Sequence, residues 1–357
     1  MNITHVITTI ERGGAENQLL ILTKMQVHHG HSVSVVFIKG KPELQEAFIL
    51  NGVTVISSLA NLGFLKQVFL LRKMSYQSHN VYHAHLPRAE LLLRLSLYKR
   101  KFFISRHNCE PFFPKAPKVI SSFLSRFVAR KAYAFIAISN SVKEYITMNN
   151  EIRSDSICKT IYYGFEEVSP NIDSTTIKKD HGSFTIGTIG RLVPQKNYPL
   201  LLEAFYQVKQ QIPTANFIII GDGFLKEDLQ KLAIRLAINS SINWVGRTDN
   251  VFEYLSAMDC FVLASHYEGF GLVFLEAMSQ AIPIVAMVNP TALEILGNDY
   301  PSISAEMDAS DIADKIIALQ DSNWNQSVSR ICVDRLRKFD VHFQYSETIA
   351  LYSSFAT

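Results

Sequence analysis

The chain has 357 residues, of which 48% are hydrophobic, 11% aromatic and 19% charged. That is the make-up of a globular protein of about two domains at roughly 150 residues each, and it excludes a disordered or collagen-like chain. No apolar run approaches the roughly 18 residues that cross a bilayer, and the start MNITHVITTIERGG lacks the basic region and long apolar core of a secretory leader. A cytoplasmic location is therefore expected. The net charge of +3 hides an asymmetry: residues 1–165 carry 21 Lys+Arg against 9 Asp+Glu, and the remainder 14 against 23. A first half this basic is suited to an acidic partner.

Short β-branched or aromatic runs alternate with helical patterns along the whole length, the signature of βαβ units and parallel sheets. In the first half, strands are predicted at 3–8, 33–38, 53–57, 81–85, 102–107 and 135–139, with a weaker one at 158–163. ITTIERGGAENQLLIL runs strand, glycine turn, helix. Gly13 and Gly14 either admit a ligand close to the backbone or only form a tight turn, and Glu16 falls in the first helical turn. VYHAHLPRAE and FFISRHNCE put His83, His85 and His107 at strand ends. His83 and His85, two apart, point to one face, which also suits a metal, but no third ligand follows at a recognisable spacing.

Residues 94–131 hold ten basic residues and a single acid, Glu110. Read as a helix, residues 117–131 place Ile120, Phe123, Leu124, Phe127 and Val128 on one face and Lys118, Ser122, Arg126 and Arg130 on another. Such a helix either packs its apolar face on its own sheet or lies on an anionic membrane. Phe112 and Phe113, just upstream, are the better candidates for dipping into that interface. The four cysteines, Cys109, Cys158, Cys260 and Cys332, are scattered without metal spacing and read as reduced thiols.

The polar stretch 166–183 is the expected linker between a domain of residues 1–165 and one of residues 184–339. Strands follow at 184–190, 216–221, 242–246, 260–264, 282–287 and 301–304. Helix 199–212 carries Leu201, Phe205, Val208 and Ile212 on one face, which is core. After the strand ending at Gly190 come Arg191, a rigid fork, and Lys196, a mobile point charge, a pair suited to a diphosphate. IGDG (220–223) is another strand-to-turn signature. In ASHYEGFGLVFLEAMSQAIPIVA (264–286) a strand passes through Glu268, Gly269, Phe270 and Gly271 into a helix starting near Leu272, with Glu276 eight positions after Glu268. Free N–H groups at that helix start attract phosphate, and the carboxylates accept hydrogen bonds from hydroxyl pairs. The plainer alternative is that Glu268 caps the helix and Glu276 is solvated. Two doubly wound α/β domains are expected, with ligands at the carboxyl ends of their strands and a cleft between them.

Taken together, EGFGLVFLEAM, GRLVPQKN, the GGAE turn, FIAISNSV and the closing IPIVA resemble the retaining nucleotide-sugar glycosyltransferases of family 4, which have the GT-B fold, over nearly the whole chain. The resemblance implies that Arg191 and Lys196 hold the donor diphosphate. Glu268 would contact the transferred sugar, Phe270, Gly271 and Leu272 would lend their backbone to sugar and phosphate, and Glu276 would meet the ribose. It also implies that Gly13 and Gly14 lie near phosphates and acceptor, and that His107 lies near the sugar. The last helix, FDVHFQYSETIALYSSF, would return residues from about 340 to 357 to the first domain. The implied activity is retaining transfer from a nucleotide sugar, UDP-linked by base rate, to a glycan or lipid-linked acceptor. Neither cofactor nor metal is expected, since no Asp-x-Asp occurs, and no nucleic acid is a partner. A nucleotide-sugar epimerase, a phosphorylase and a non-catalytic sugar-nucleotide binding protein are the alternatives on such a fold.

Overall fold

The computed structural model describes residues 1–76, 81–166 and 182–355. Most of the linker expected at 166–183 lies outside them. The chain divides into two compact units, Met1–Glu166 with Phe339–Thr357, and Glu167–Lys338.

The first unit runs β1 (Asn2–Ile7), α1 (Gly14–His28), β2 (Ser32–Phe37), α2 (Gln45–Leu50), β3 (Thr54–Ile56), α3 (Phe64–Tyr76), β4 (Val81–His85), α4 (Pro87–Ser96), β5 (Phe102–Arg106), α5 (Lys118–Ala129), β6 (Ala132–Ala137), α6 (Asn140–Met148) and β7 (Ile157–Thr160). Its seven strands are all parallel, in the order β3-β2-β1-β4-β5-β6-β7. Helices cover both faces of such a sheet, so β1 and β5 are buried at nearly every position instead of alternate ones, polar Thr4, His5, Ser105 and Arg106 included.

The second unit runs β8 (Thr185–Ile189), α7 (Tyr198–Gln211), β9 (Asn216–Ile220), α8 (Lys226–Arg235), β10 (Ile242–Gly246), α9 (Val251–Ser256), β11 (Cys260–Leu263), α10 (Leu272–Ser279), β12 (Ile284–Met287), α11 (Pro290–Leu296), β13 (Ile303–Ser304), α12 (Ala309–Ala318) and α13 (Ser322–Leu336). Its six parallel strands are ordered β10-β9-β8-β11-β12-β13. The last helix, α14 (Val341–Ser353), belongs to the first unit. There Leu351 and Tyr352 join a core cluster with Ile3, Phe103, Ala134 and Ile136. No helix among the described residues is long and apolar enough to cross a membrane.

Two expectations about the basic segment need correcting. Phe112 does not reach for an interface: it is fully buried in the core of the first unit, its ring 4.9 Å below the Arg106 guanidinium, and Phe113 is half-buried against the same core. Helix α5, in turn, buries only part of the face its apolar periodicity picks out, with Val128 in the core and Leu124 half-buried against it. It turns Ser121, Ser125, Val128 and Ala129 inward and leaves Val119, Ile120 and Phe123 exposed. The reason lies beneath it, where Arg106 pairs with Glu151 at 2.7 Å and with Glu90 at 3.2 Å, both acids buried. Ser125 accepts from Arg106 (2.9 Å) and donates to Glu151 (3.1 Å), while Ser121 accepts from the Phe113 amide (2.9 Å). Small hydroxyl residues face inward because a buried ion triad has to be hydrogen-bonded.

Candidate functional site

In each unit the order of strands reverses next to the first one, between β1 and β4 and between β8 and β11. Open parallel sheets take ligands at the carboxyl ends beside such a reversal.

In the second unit this point collects the motif residues. After β8, Arg191 is exposed, and Pro194–Lys196 form a short 3-10 turn ended by Asn197 in the left-handed region. The loop after β11 is stitched to this turn: the Gln195 side-chain amide donates to the Tyr267 carbonyl (2.8 Å), and the His266 amide donates to the Gln195 carbonyl (2.9 Å). Lys196 Nζ consequently sits 2.6 Å from Glu268 Oε1, with 11% and 8% of the two side chains exposed. Thr291 Oγ1 donates to the Glu268 carbonyl at 2.8 Å, fixing the loop from behind. Gly271 then caps α10 with φ +76, a conformation that favours glycine, and a Cβ there would meet the Phe274 ring at 2.8 Å. The Phe270 side chain is buried, so Gly269 and Gly271 present mainly backbone.

The plainer reading of the two glutamates does not hold. No side chain caps α10, so Glu268 is a buried partner of Lys196 and not a cap. Burial pushes the Glu276 carboxyl up to about 7, against the opposing pull of Lys196. The result is a cation, two carboxylates and a helix start with unsatisfied N–H groups around one loop, an arrangement that can take a diphosphate and hydroxyl groups together.

In the first unit the same position is built differently. Glu16 folds back over the glycine turn, where a Cβ on Gly13 would stand 2.5 Å from Glu16 Oε2, and desolvation raises its carboxyl. Leu86, directly after β4, has φ 72 and ψ 147, a region nearly reserved for glycine and costing about 1–3 kcal/mol elsewhere. Around these lie buried imidazoles. A third ring does approach His83 and His85: His5, opposite His83 on β1, brings one nitrogen of each within 4.8 Å of the others. Their nitrogens are spent on protein, however. His5 bonds His85 (2.9 Å) and Gln26 (2.9 Å), His83 bonds Tyr352 (2.5 Å) and Ser105 (2.8 Å), and His85 bonds His107 (3.2 Å). Three neutral rings would also leave a dication's charge uncompensated in the core.

His107 uses both ring nitrogens inside the unit, on His85 and on the Tyr163 hydroxyl. The cavity these residues line inside the unit is about 20 Å³, room for about one water. His5, Gln26 and Tyr163 were not singled out from the sequence. The available signal was a histidine in β1, in β4 and directly after β5, which only the pairing β1-β4-β5 turns into one cluster.

On the outer surface of the first unit, α5 forms a groove of about 510 Å³ lined by Lys118, Val119, Ser122, Phe123, Arg126, Phe127 and Arg130. Apolar and basic side chains alternate along it.

Residues 12–160 match the family described as Glycosyltransferase Family 4, and residues 171–331 match Glycosyl transferases group 1. An uncharacterized glycosyltransferase of Methanocaldococcus jannaschii is 36% identical over 104 residues, 29% of this chain and 26% of that one. That match spans about a quarter of the relative's length. The UDP-Gal:alpha-D-GlcNAc-diphosphoundecaprenol alpha-1,3-galactosyltransferase of Escherichia coli is 24% identical over 298 residues, covering 77% of this chain and 76% of that one. Among solved structures, HepE of Anabaena, in complex with UDP and glucose, superposes with a TM-score of 0.84 at 20% identity, over 99% of this chain and all of that one. With two parallel-sheet units, a motif loop at the reversal of the second sheet and these matches, the chain is a GT-B enzyme. It belongs to the family 4 type of glycosyltransferases.

Proposed function

We propose that the chain moves a hexose or N-acetylhexosamine from a UDP-sugar, with retention at the anomeric carbon, to a lipid-linked or other cell-surface glycan at the cytoplasmic face of the membrane. The observation that carries this reading is the loop pair after β8 and β11, where Lys196 and Glu268 meet at 2.6 Å beside Arg191 and the start of α10. As the leaving diphosphate gains charge, Arg191, Lys196 and the α10 N–H groups stabilise it more than they stabilise the bound donor. Two fixed cations serve in place of a metal ion. Glu268 orients the sugar hydroxyls and Glu276 the ribose. With no protein nucleophile implied, the acceptor hydroxyl attacks the face the leaving phosphate occupies, and that phosphate takes its proton.

The uridine nucleotide is supported by the UDP-galactose donor of the Escherichia coli relative and the UDP in the Anabaena complex, and the lipid-linked acceptor by the former. The membrane face is supported by α5, with Val119 81%, Ile120 51% and Phe123 65% exposed between Lys118, Arg126 and Arg130. Each basic residue near an anionic leaflet contributes about 1 kcal/mol. The test incubates the purified chain with labelled UDP-sugars and membrane lipid extract, with and without chelator. The expected product is a labelled glycolipid with the donor's anomeric configuration, formed in chelator. Label released to water, or turnover abolished by chelator and restored by manganese, overturns the mechanism. In parallel, the chain should sediment with vesicles containing anionic lipid, more weakly at high salt, and Phe123→Asp should reduce that binding several-fold. Equal, negligible binding to anionic and neutral vesicles removes the membrane from the reading.

A further inference from the structure

The imidazoles of the first unit lie on one line of hydrogen bonds. Gln26 Oε1 meets His5 Nε2, His5 Nδ1 meets His85 Nε2, His85 Nδ1 meets His107 Nε2, and His107 Nδ1 meets the Tyr163 hydroxyl. Three elements contribute side chains, namely α1, β1 and β4, and His107 and Tyr163 stand on the stretches that follow β5 and β7. Burial brings His5 down to about 4 and His107 to about 3, and holds His85 well below its ordinary value. Each ring is therefore neutral, with one nitrogen that donates and one that accepts. A line of neutral rings has just two proton arrangements, all hydrogens pointing one way or all the other.

The end of the line selects between them. An amide oxygen only accepts, so His5 must carry its hydrogen on Nε2 and accept at Nδ1 from His85 Nε2–H. The same choice passes on: His85 Nδ1 accepts from His107 Nε2–H, and His107 Nδ1 accepts from the Tyr163 hydroxyl. We propose that Gln26, His5 and His85 are positioning residues that hold His107 as its Nε2–H tautomer, ring turned inward, with the Tyr163 hydroxyl hydrogen directed at it. This rests on the reading of His107 as the sugar-side residue, and it changes that residue's part. His107 serves as an oriented neutral ring and does not exchange a proton with a sugar hydroxyl, because both nitrogens are committed.

The whole chain, labelled with ¹⁵N in its histidine rings, gives the direct test through long-range ¹H–¹⁵N spectra assigned by single histidine substitutions. The expected pattern at His5, His85 and His107 is a protonated Nε2 and a bare Nδ1. A hydrogen on Nδ1 of His107, or a doubly protonated ring at neutral pH, overturns the proposal. The second arm is Gln26→Met, which keeps the bulk and removes the accepting oxygen. His107 should then populate both tautomers, and kcat should fall about tenfold at unchanged donor KM, the loss expected from one hydrogen bond's worth of positioning. A merely structural role predicts a lower melting temperature with tautomer and kcat intact, and that result overturns the proposal as well. If Gln26→Met does not fold, the wild-type spectrum still decides. If the wild-type chain transfers no sugar, the proposed activity fails, while the spectrum tests the proton arrangement independently.

Discussion

At the carboxyl ends of β8 and β11 the side chains are charged and paired, whereas His5 within β1, His85 at the end of β4 and His107 just after β5 are neutral rings bonded to one another. The first unit is nonetheless the basic one by sequence, and its buried charge sits elsewhere, under α5, where Arg106 holds Glu90 and Glu151. Two sheets of similar order thus put charge to different uses. In the second unit it stands at the proposed donor site, and in the first it holds a helix down and coats the outside. A count of charges along the chain does not distinguish these uses, but the partners of each charge do.

Three substitutions can break that contrast. The largest effect is expected from Arg106→Met, which strips two buried carboxylates of their cation and should cost about 3 kcal/mol of stability in denaturant unfolding. Donor affinity should not change, and a loss of donor binding without a loss of stability would move Arg106 into the functional site. Lys196→Met should lower donor affinity as well as stability, because it leaves the buried Glu268 without its cation. Removing one charged phosphate contact should weaken UDP-sugar binding by about 2 kcal/mol, roughly 30-fold, in calorimetry; an unchanged Kd would show that the charged loop is not the donor site. The third effect concerns pH. Glu276 is an acid whose folded pKa, about 7, stands above its ordinary 4.5, so the folded chain binds that proton more tightly than the unfolded one. The stability this gives is fully present below pH 4.5 and is lost as pH rises to about 7. Glu276→Gln, with no carboxylate to desolvate, should gain on wild type across that interval in melting temperature. A constant difference would mean that Glu276 is solvated after all.

The contrast also explains what was legible in the sequence. Arg191, Lys196, Glu268 and Gly271 lie in two short loops and Glu276 on the helix after the second, and the βαβ pattern places both loops at the carboxyl ends of strands. The strands were readable for the same reason, since parallel strands covered on both faces are continuous apolar runs. Their fine limits were not: the weak strand at 158–163 forms as β7 (Ile157–Thr160), because only that stretch pairs with β6. The imidazole line joins residues 5, 26, 85, 107 and 163, and no local spacing connects them. Phe112 misled because an aromatic between basic clusters reads as surface until Arg106, reaching inward to its acids, makes its ring a buried partner. Likewise, periodicity finds an amphipathic face on α5 but not which side the sheet lies on.

The return of α14 has a consequence for how the chain is made. The second unit is an insertion between β7 and the helix that completes the first, so β1 to β7 leave the ribosome well before α14. At about 5–20 residues per second, the roughly 170 intervening residues take on the order of 10–30 s to synthesise. Throughout that interval Ile3, Phe103, Ala134 and Ile136 lack their cover of Leu351 and Tyr352, and His83 lacks the Tyr352 hydroxyl. The first half of the nascent chain thus carries an uncovered apolar strip, while the second unit, whose segments are contiguous, can fold as soon as it emerges.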